Sequence, residues 1–237
     1  MSKDNRPRTL AEKILCKHLY DTDTVLPARG QYATFRPDRV AMQDATEYRT
    51  PEPGGQYADW LSFEDYEPCY GKAYEKTADG KRVVRKDARK YWNFLAGCYW
   101  LENARMMSEM AVAIGRAADA ERYAVMAARA LEYVRREFVD CVDGMLIAPF
   151  RHLQGAALFA LKCGVLERPE AVEATKAELE RNFAAHDGCL TTGFLGTSIL
   201  MDTLTRVGMV ERAYLLLLNH KFPGWLYSVD QGATTVW

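Results

Sequence analysis

Residues Phe150–Leu166, FRHLQGAALFALKCGVL, are apolar almost without a break, and they decide the fold class. A helix that is apolar on every side has no face for water, so we expect this one to be buried. The next segment, Arg168–His186, is polar on one side and has Pro169 in its first turn, which suits an outer helix. The same alternation recurs when Phe194–Gly208 is followed by Met209–His220. Alternating inner and outer helices predict an all-α protein built from stacked helical hairpins, as in α/α toroids or α-solenoids.

Two more helices are predicted upstream, in Ala88–Arg116 and Asp119–Val139, where apolar residues recur every three or four positions. The neighbouring methionines Met106, Met107 and Met110 are expected to pack within the first of these helices. The segments 187–197 and 222–235 are rich in glycine, threonine and aromatic residues, and we expect them to be loops. Loops of this kind at the ends of inner helices often line a binding site.

The composition excludes several classes of partner. The 237 residues include 31 Lys and Arg against 32 Asp and Glu, so no net field favours nucleic acid or an acidic membrane. No apolar run approaches the ~20 residues of a membrane span, and the polar start predicts a cytoplasmic protein. The six cysteines form no C-x-x-C pair and are expected to be mostly buried thiols. We therefore expect no nucleic acid, membrane or metal partner.

The pattern of the sequence changes near residue 50. Residues 1–50 are predicted to be a short, mostly irregular segment with one helix, which begins with a capping box at Thr9 and Glu12. The Thr50–Gly55 stretch, TPEPGG, favours a linker or a sharp turn. We predict an N-terminal segment over 1–50, a linker and loop region over 51–86, and a helical domain over 87–237.

Four stretches of the second part resemble the catalytic domain of the bacterial α-L-rhamnosidases, the six-hairpin glycoside hydrolases of family 78. They are ADWLSFEDYE (58–67), HDGCLTTGFLGTSIL (186–200), RAYLLLLNHKFPGWLYSV (212–229) and DQGATTVW (230–237). The resemblance covers roughly Gly55 to Trp237. It implies a partial (α/α)6 toroid whose inner-helix ends surround a sugar pocket. It also implies a rhamnose-containing oligosaccharide or glycoside as substrate, and hydrolysis with inversion that needs no cofactor.

The resemblance implies that five residues line the sugar pocket, with the Trp60 indole stacking on an apolar sugar face. They are Asp59, Trp60, Thr192, Phe194 and Trp237. Thr192 is equally suited to capping the helix that follows it. Trp225 is expected in the core rather than at a ligand. For the acidic group Glu64, Asp65 and Glu67 we expect a solvated loop.

The chain is expected to lack both catalytic groups of the family. An inverting glycosidase needs an acid for the leaving oxygen and a second carboxylate that activates water. In the family the acid lies upstream of the Asp-Trp motif matched by Asp59 and Trp60, and the base follows the tryptophan matched by Trp237. Neither position exists here, so no residue is named catalytic and we expect an inactive fragment. Its half barrel should expose apolar faces such as Ala157–Leu166 and self-associate through that edge.

The first fifty residues resemble a different family. Asn5–Asp21 and Phe35–Thr46 are similar to the start of aconitases, in which the glutamine matched by Gln43 contacts the substrate. The Asp-His pair that should follow and the three cluster cysteines are absent. The sequence thus reads as a hybrid with its seam near Glu47–Gln56. An aconitase-related lyase fragment and a non-catalytic helical module remain the alternatives.

Overall fold

The computed structural model describes residues 59–67 and 71–235. These residues form a two-stranded antiparallel hairpin, in which Glu75 pairs with Val83, followed by a series of helices. The strands are β1 (Tyr74–Lys76) and β2 (Arg82–Val84), and the helices are α1 (Lys86–Ala113), α2 (Ala117–Phe138), α3 (Gln154–Lys162), α4 (Pro169–Ala185), α5 (Phe194–Arg206), α6 (Val210–Leu217) and α7 (Trp225–Asp230). A single 3₁₀ turn, Ala148–Phe150, precedes α3. The prediction of an all-α fold is confirmed.

Helix α3 is the centre of the packing, as its apolar sequence predicted. Every residue from Gln154 to Ala160 is buried. One face, with Ala156 and Phe159, joins the core shared with α1 and α2. The opposite face, with Ala157 and Leu158, joins the core shared with α4, α5 and α6. Because α3 contributes to both cores, the two halves of the described structure are packed on a common element.

Helices α1 and α2 pack closely along each other. A Cβ atom at Gly97 of α1 would lie 2.8 Å from Val134 Cγ2 of α2, so this glycine permits the close approach. Three rings link the pair to the turn before α3. The Phe94 ring lies 5.4 Å from Phe138 and 6.1 Å from Phe150, within the range of favourable aromatic pairs.

Several expectations about individual segments were wrong. The predicted loop 222–235 contains helix α7, and the predicted linker contains the β1–β2 hairpin. Met106, Met107 and Met110 are exposed on α1 instead of packed. Residues Ala157–Leu166 were expected to be exposed at the edge of a half barrel. Within this segment Leu158 and Phe159 are fully buried instead, because α1, α4 and α5 cover them.

Exposed apolar side chains instead lie on α1 and α6, at Met110, Ile114, Tyr214, Leu215 and Leu218. Self-association through such a surface stays a prediction, as do the domain boundaries. The predictions for residues 1–58, including the capping box at Thr9, concern residues outside the described part of the chain. None of the described helices combines the length and the apolarity needed to cross a bilayer.

Truncating Leu158 to alanine should lower the free energy of unfolding by about 2–5 kcal/mol, since it empties a fully buried site between α3 and its neighbours. Leu215→Ala on the exposed side of α6 is the matched control and should change the value by less than about 0.5 kcal/mol. Urea unfolding followed by circular dichroism measures both. Equal effects of the two substitutions would contradict the central position of α3.

Candidate functional site

The loop of residues 59–67 lies across the first turn of α5. No side chain caps α5 at its own N-cap residue, Gly193. Instead the buried carboxylate of Asp59 accepts hydrogen bonds from the main-chain N–H groups of Gly193 (2.8 Å), Leu195 (2.8 Å) and Gly196 (3.2 Å). The first N–H groups of a helix have no partner within the helix and carry partial positive charge, so a carboxylate is well suited to this position.

The same loop reaches the first turn of α3 through Glu64. Helix α3 also lacks a side-chain cap at its own N-cap residue. The Oε1 atom of Glu64 accepts hydrogen bonds from the Gly155 N–H (2.9 Å) and from the Thr191 hydroxyl (3.2 Å). The Tyr91 hydroxyl of α1 lies 3.4 Å from Oε2. One carboxyl group therefore ties the loop to α1, to α3 and to the segment that precedes α5.

Two glycines leave the space that these contacts need. A Cβ atom at Gly193 would lie 2.1 Å from the Trp60 carbonyl oxygen, and one at Gly155 would lie 2.7 Å from the Tyr91 hydroxyl. Both separations are shorter than van der Waals contact. Any larger residue at either position would push the loop away from the helix starts.

Burial controls the protonation of both carboxyl groups. The pKa of Glu64 rises from 4.5 to about 7, mainly because of burial; the Gly155 N–H bond opposes the rise and the nearby Asp59 charge adds to it. Burial also raises the pKa of Asp59, against the lowering effect of its three N–H partners. The expectation of a solvated acidic loop was therefore wrong for Glu64. It was also wrong for Glu67, which is buried and accepts a hydrogen bond from the Leu61 N–H at 3.1 Å. Asp65 is exposed, as expected.

The residues expected to line a sugar pocket have different surroundings. Trp60 is 43% exposed and Phe194 is 69% exposed, and the Phe194 N–H donates to the Trp60 carbonyl at 3.0 Å, so the two main chains are adjacent. Thr192 is buried, and its hydroxyl lies 2.8 Å from that of Thr197. The structure thus gathers Asp59, Trp60, Thr192 and Phe194 at the start of α5, and it exposes the two aromatic rings.

Other expected contributors lie elsewhere. Trp225 is half-buried against the core of α3 to α6, consistent with the expectation of a core residue. Trp237 and Gln43 lie outside the described residues. Within the described residues, 59–67 and 71–235, no three His, Cys, Asp or Glu side chains are grouped so as to hold a metal ion.

Sequence reasoning missed Tyr91 and Gly155, and it misplaced Glu64. One signal was available: the residues directly before α3 and α5 are Leu153 and Gly193, and neither has a side chain that can cap a helix. A buried helix start without its own cap requires an acceptor from another part of the chain. The acidic loop at 59–67 was one source of such acceptors in the motif-bearing region.

A family model described as the bacterial alpha-L-rhamnosidase 6 hairpin glycosidase domain matches residues 16–237. The chain belongs to this family. The match begins upstream of the seam that the sequence predicts near residue 50. The helical architecture described above agrees with the six-hairpin glycosidase domain.

Relatives of the six-hairpin rhamnosidase family are similar to most of this chain, but the chain spans under a quarter of their length. An alpha-L-rhamnosidase of Alteromonas sp. (strain LOR) is 27% identical over 222 residues, which is 92% of this chain and 23% of that protein. The crystal structure of Streptomyces avermitilis alpha-L-rhamnosidase complexed with L-rhamnose is 27% identical, with a TM-score of 0.58. The likeness covers 76% of this chain and 15% of that structure.

The N-terminal resemblance to aconitase is also found. The mitochondrial aconitate hydratase of Gracilaria gracilis is 59% identical over 46 residues, which make up 19% of this chain and 6% of that protein. The likeness is therefore strong but confined to a short segment.

Replacing Glu64 with glutamine should change how stability depends on pH. Because the pKa of Glu64 is higher in the folded chain, its contribution is complete below about pH 4.5 and is lost as the pH rises through about 7. A glutamine cannot ionise and keeps the same shape. The variant should match the parent chain near pH 4.5 and exceed it at pH 8 by up to about 3 kcal/mol.

Urea unfolding at four pH values between 4.5 and 8 measures this difference. Asp65→Asn, a substitution at the exposed neighbouring residue, controls for loss of a loop carboxylate. Parallel pH profiles for the parent chain and Glu64→Gln would show that Glu64 does not hold a proton in the folded state.

Proposed function

We propose that this chain forms part of the sugar pocket of an α-L-rhamnosidase-type glycoside hydrolase, which removes terminal α-L-rhamnosyl groups with inversion. The observation that carries the proposal is the pair of exposed aromatic residues, Trp60 and Phe194, whose main chains are joined by a hydrogen bond at the start of α5. Family membership supports it, and so does the L-rhamnose bound to the Streptomyces relative.

The two rings suit a deoxy sugar. A pyranose has C–H groups on its faces, and a 6-deoxy sugar adds a methyl group, so both present apolar surface to an aromatic ring. Because the two main chains are joined before a ligand binds, little backbone freedom is lost on binding, which favours affinity. Asp59 acts indirectly, because its carboxylate holds the start of α5 and with it Phe194.

We further propose that this chain alone has no appreciable rhamnosidase activity. Two buried carboxyl groups of the loop that carries Trp60, those of Asp59 and Glu64, accept hydrogen bonds from main-chain N–H groups at the starts of α5 and α3. Inversion needs one carboxyl group that can protonate the leaving oxygen and another, ~6.5–9.5 Å away, that faces a water molecule. Groups committed to helix starts are poorly placed for either task.

Incubation of the purified chain with an aryl α-L-rhamnoside should therefore release no aryl alcohol above the buffer blank. Glu64→Gln serves as the diagnostic variant, since it keeps the shape of the side chain and removes its acid. Turnover by the parent chain that disappears in Glu64→Gln would give Glu64 a catalytic role and contradict the proposal. Turnover that survives in that variant and in Asp59→Asn would indicate a contaminating enzyme.

Binding of L-rhamnose should depend on Phe194. Phe194→Leu keeps an apolar side chain but removes the ring, and we expect affinity to fall about two- to tenfold. Tryptophan fluorescence, to which exposed Trp60 contributes, follows the titration. Tyr214→Leu, at an exposed ring on outer helix α6, should bind as the parent chain does. Equal affinities of all three proteins would remove Phe194 from the pocket.

A further inference from the structure

A second concave surface lies on the other side of the 59–67 loop. It is a cavity of about 410 Å³ between this loop, the residues that precede α3 and the C-terminal half of α4. The cavity is separate from the Trp60–Phe194 surface, since neither Trp60 nor Phe194 lines it. The two adjacent threonines contact different groups. Thr191 lines the cavity and bonds to Glu64, whereas the Thr192 hydroxyl meets Thr197 in the first turn of α5.

The wall of the cavity is held by a chain of amide contacts. The Asn182 side chain on α4 donates to the His152 carbonyl and accepts from Gln154 Nε2 at 2.8 Å. The Gln154 side-chain oxygen in turn accepts the Thr191 N–H at 2.8 Å. Since these links join α3, α4 and the segment before α5, the shape of the cavity is set before any ligand arrives.

Some of the polar side chains that line the cavity contact one another. Arg181 forms an ion pair with Glu178 one turn earlier on α4, and Asp65 Oδ2 lies 3.3 Å from His152 Nε2. Burial raises the pKa of the remaining carboxyl group, Glu64, to about 7, so near neutral pH that group is substantially protonated. The Arg181 guanidinium is already paired with a carboxylate, which weakens its attraction for an anion.

Hydrogen-bonding groups of both kinds surround an apolar wall. Phe63 is 42% exposed, and its ring is supported edge-to-face by Phe222 at 5.9 Å. Arg181 offers N–H donors and Asp65 offers acceptor oxygens. His186 Nδ1 lies 2.8 Å from the Asn182 carbonyl oxygen. An acceptor oxygen at that distance requires the proton on Nδ1, which leaves Nε2 as an acceptor in the neutral ring.

We propose that this cavity binds one neutral saccharide unit, with an apolar face of the sugar on Phe63 and its hydroxyls toward Asp65, Arg181 and His186. A sugar combines an apolar face with hydroxyls that donate and accept, which is the combination that this lining can satisfy. The volume lies at the small end of the ~300–1,000 Å³ typical of small-molecule sites, which favours a short saccharide. The site does not depend on hydrolysis at the Trp60–Phe194 surface.

Nuclear magnetic resonance titration of the whole chain tests the site, with the imidazole signals of His152 and His186 as reporters. L-rhamnose and D-glucose are the neutral probes, and inorganic phosphate is the charged one. Either sugar or both should shift the two signals, while His220, paired with Asp230 away from the cavity, should stay unchanged. Absence of a shift with both sugars, or a larger shift with phosphate, would overturn the proposal.

Variants separate this site from the other surface. Phe63→Leu should lower the sugar affinity measured from the histidine shifts about two- to tenfold. Phe194→Leu and Tyr214→Leu should leave that affinity unchanged. Arg181→Gln, at an exposed residue of α4, gives a second test if Phe63→Leu loses its fold by circular dichroism. Histidine shifts that persist at parental affinity in a folded Phe63→Leu variant, or in Arg181→Gln if it is needed, contradict the assignment.

Discussion

Two helices of this protein begin in its interior without a capping side chain of their own, and most of the site follows from that constraint. Each unpaired N–H group in such a place would cost about 1–3 kcal/mol. Asp59 satisfies three of them on α5 and Glu64 satisfies one on α3. The loop that carries both residues is therefore fixed, and it carries two exposed aromatic residues, of which Phe63 lines the cavity and Trp60 does not.

This solution places two buried carboxyl groups close together. A Cβ atom added at Gly155 would lie 3.1 Å from an oxygen of Glu64 and 3.6 Å from one of Asp59. The two carboxyl groups are therefore close enough for their negative charges to repel each other. A proton on Glu64 relieves that repulsion and leaves its bonds to Gly155 and Thr191 in place. Packing of the helix starts and proton binding are thus linked through one side chain.

The helical fold was predictable from the sequence because local patterns determine it. The all-round apolarity of Phe150–Leu166 indicated the buried α3, and Pro169 marked the start of α4 within one residue. Helix α7 was missed because six residues after Phe222, Pro223 and Gly224 are too few to show a period. Glu64 was misplaced because its partners, the Gly155 N–H and the Tyr91 and Thr191 hydroxyls, are distant in sequence, and no local pattern in an acidic loop reveals them.

The same contacts limit what the loop carboxylates can do in catalysis. A general acid gives up and regains its proton in every turnover, and its hydrogen bonds change each time. If Asp59 took up a proton, its bonds to the first turn of α5 would weaken and Phe194 would lose its support. A carboxylate that holds a helix start works best when its charge stays constant. This constraint argues against Asp59 as the acid or base of the sugar pocket proposed here, and it gives Asp59 the role of holding the start of α5.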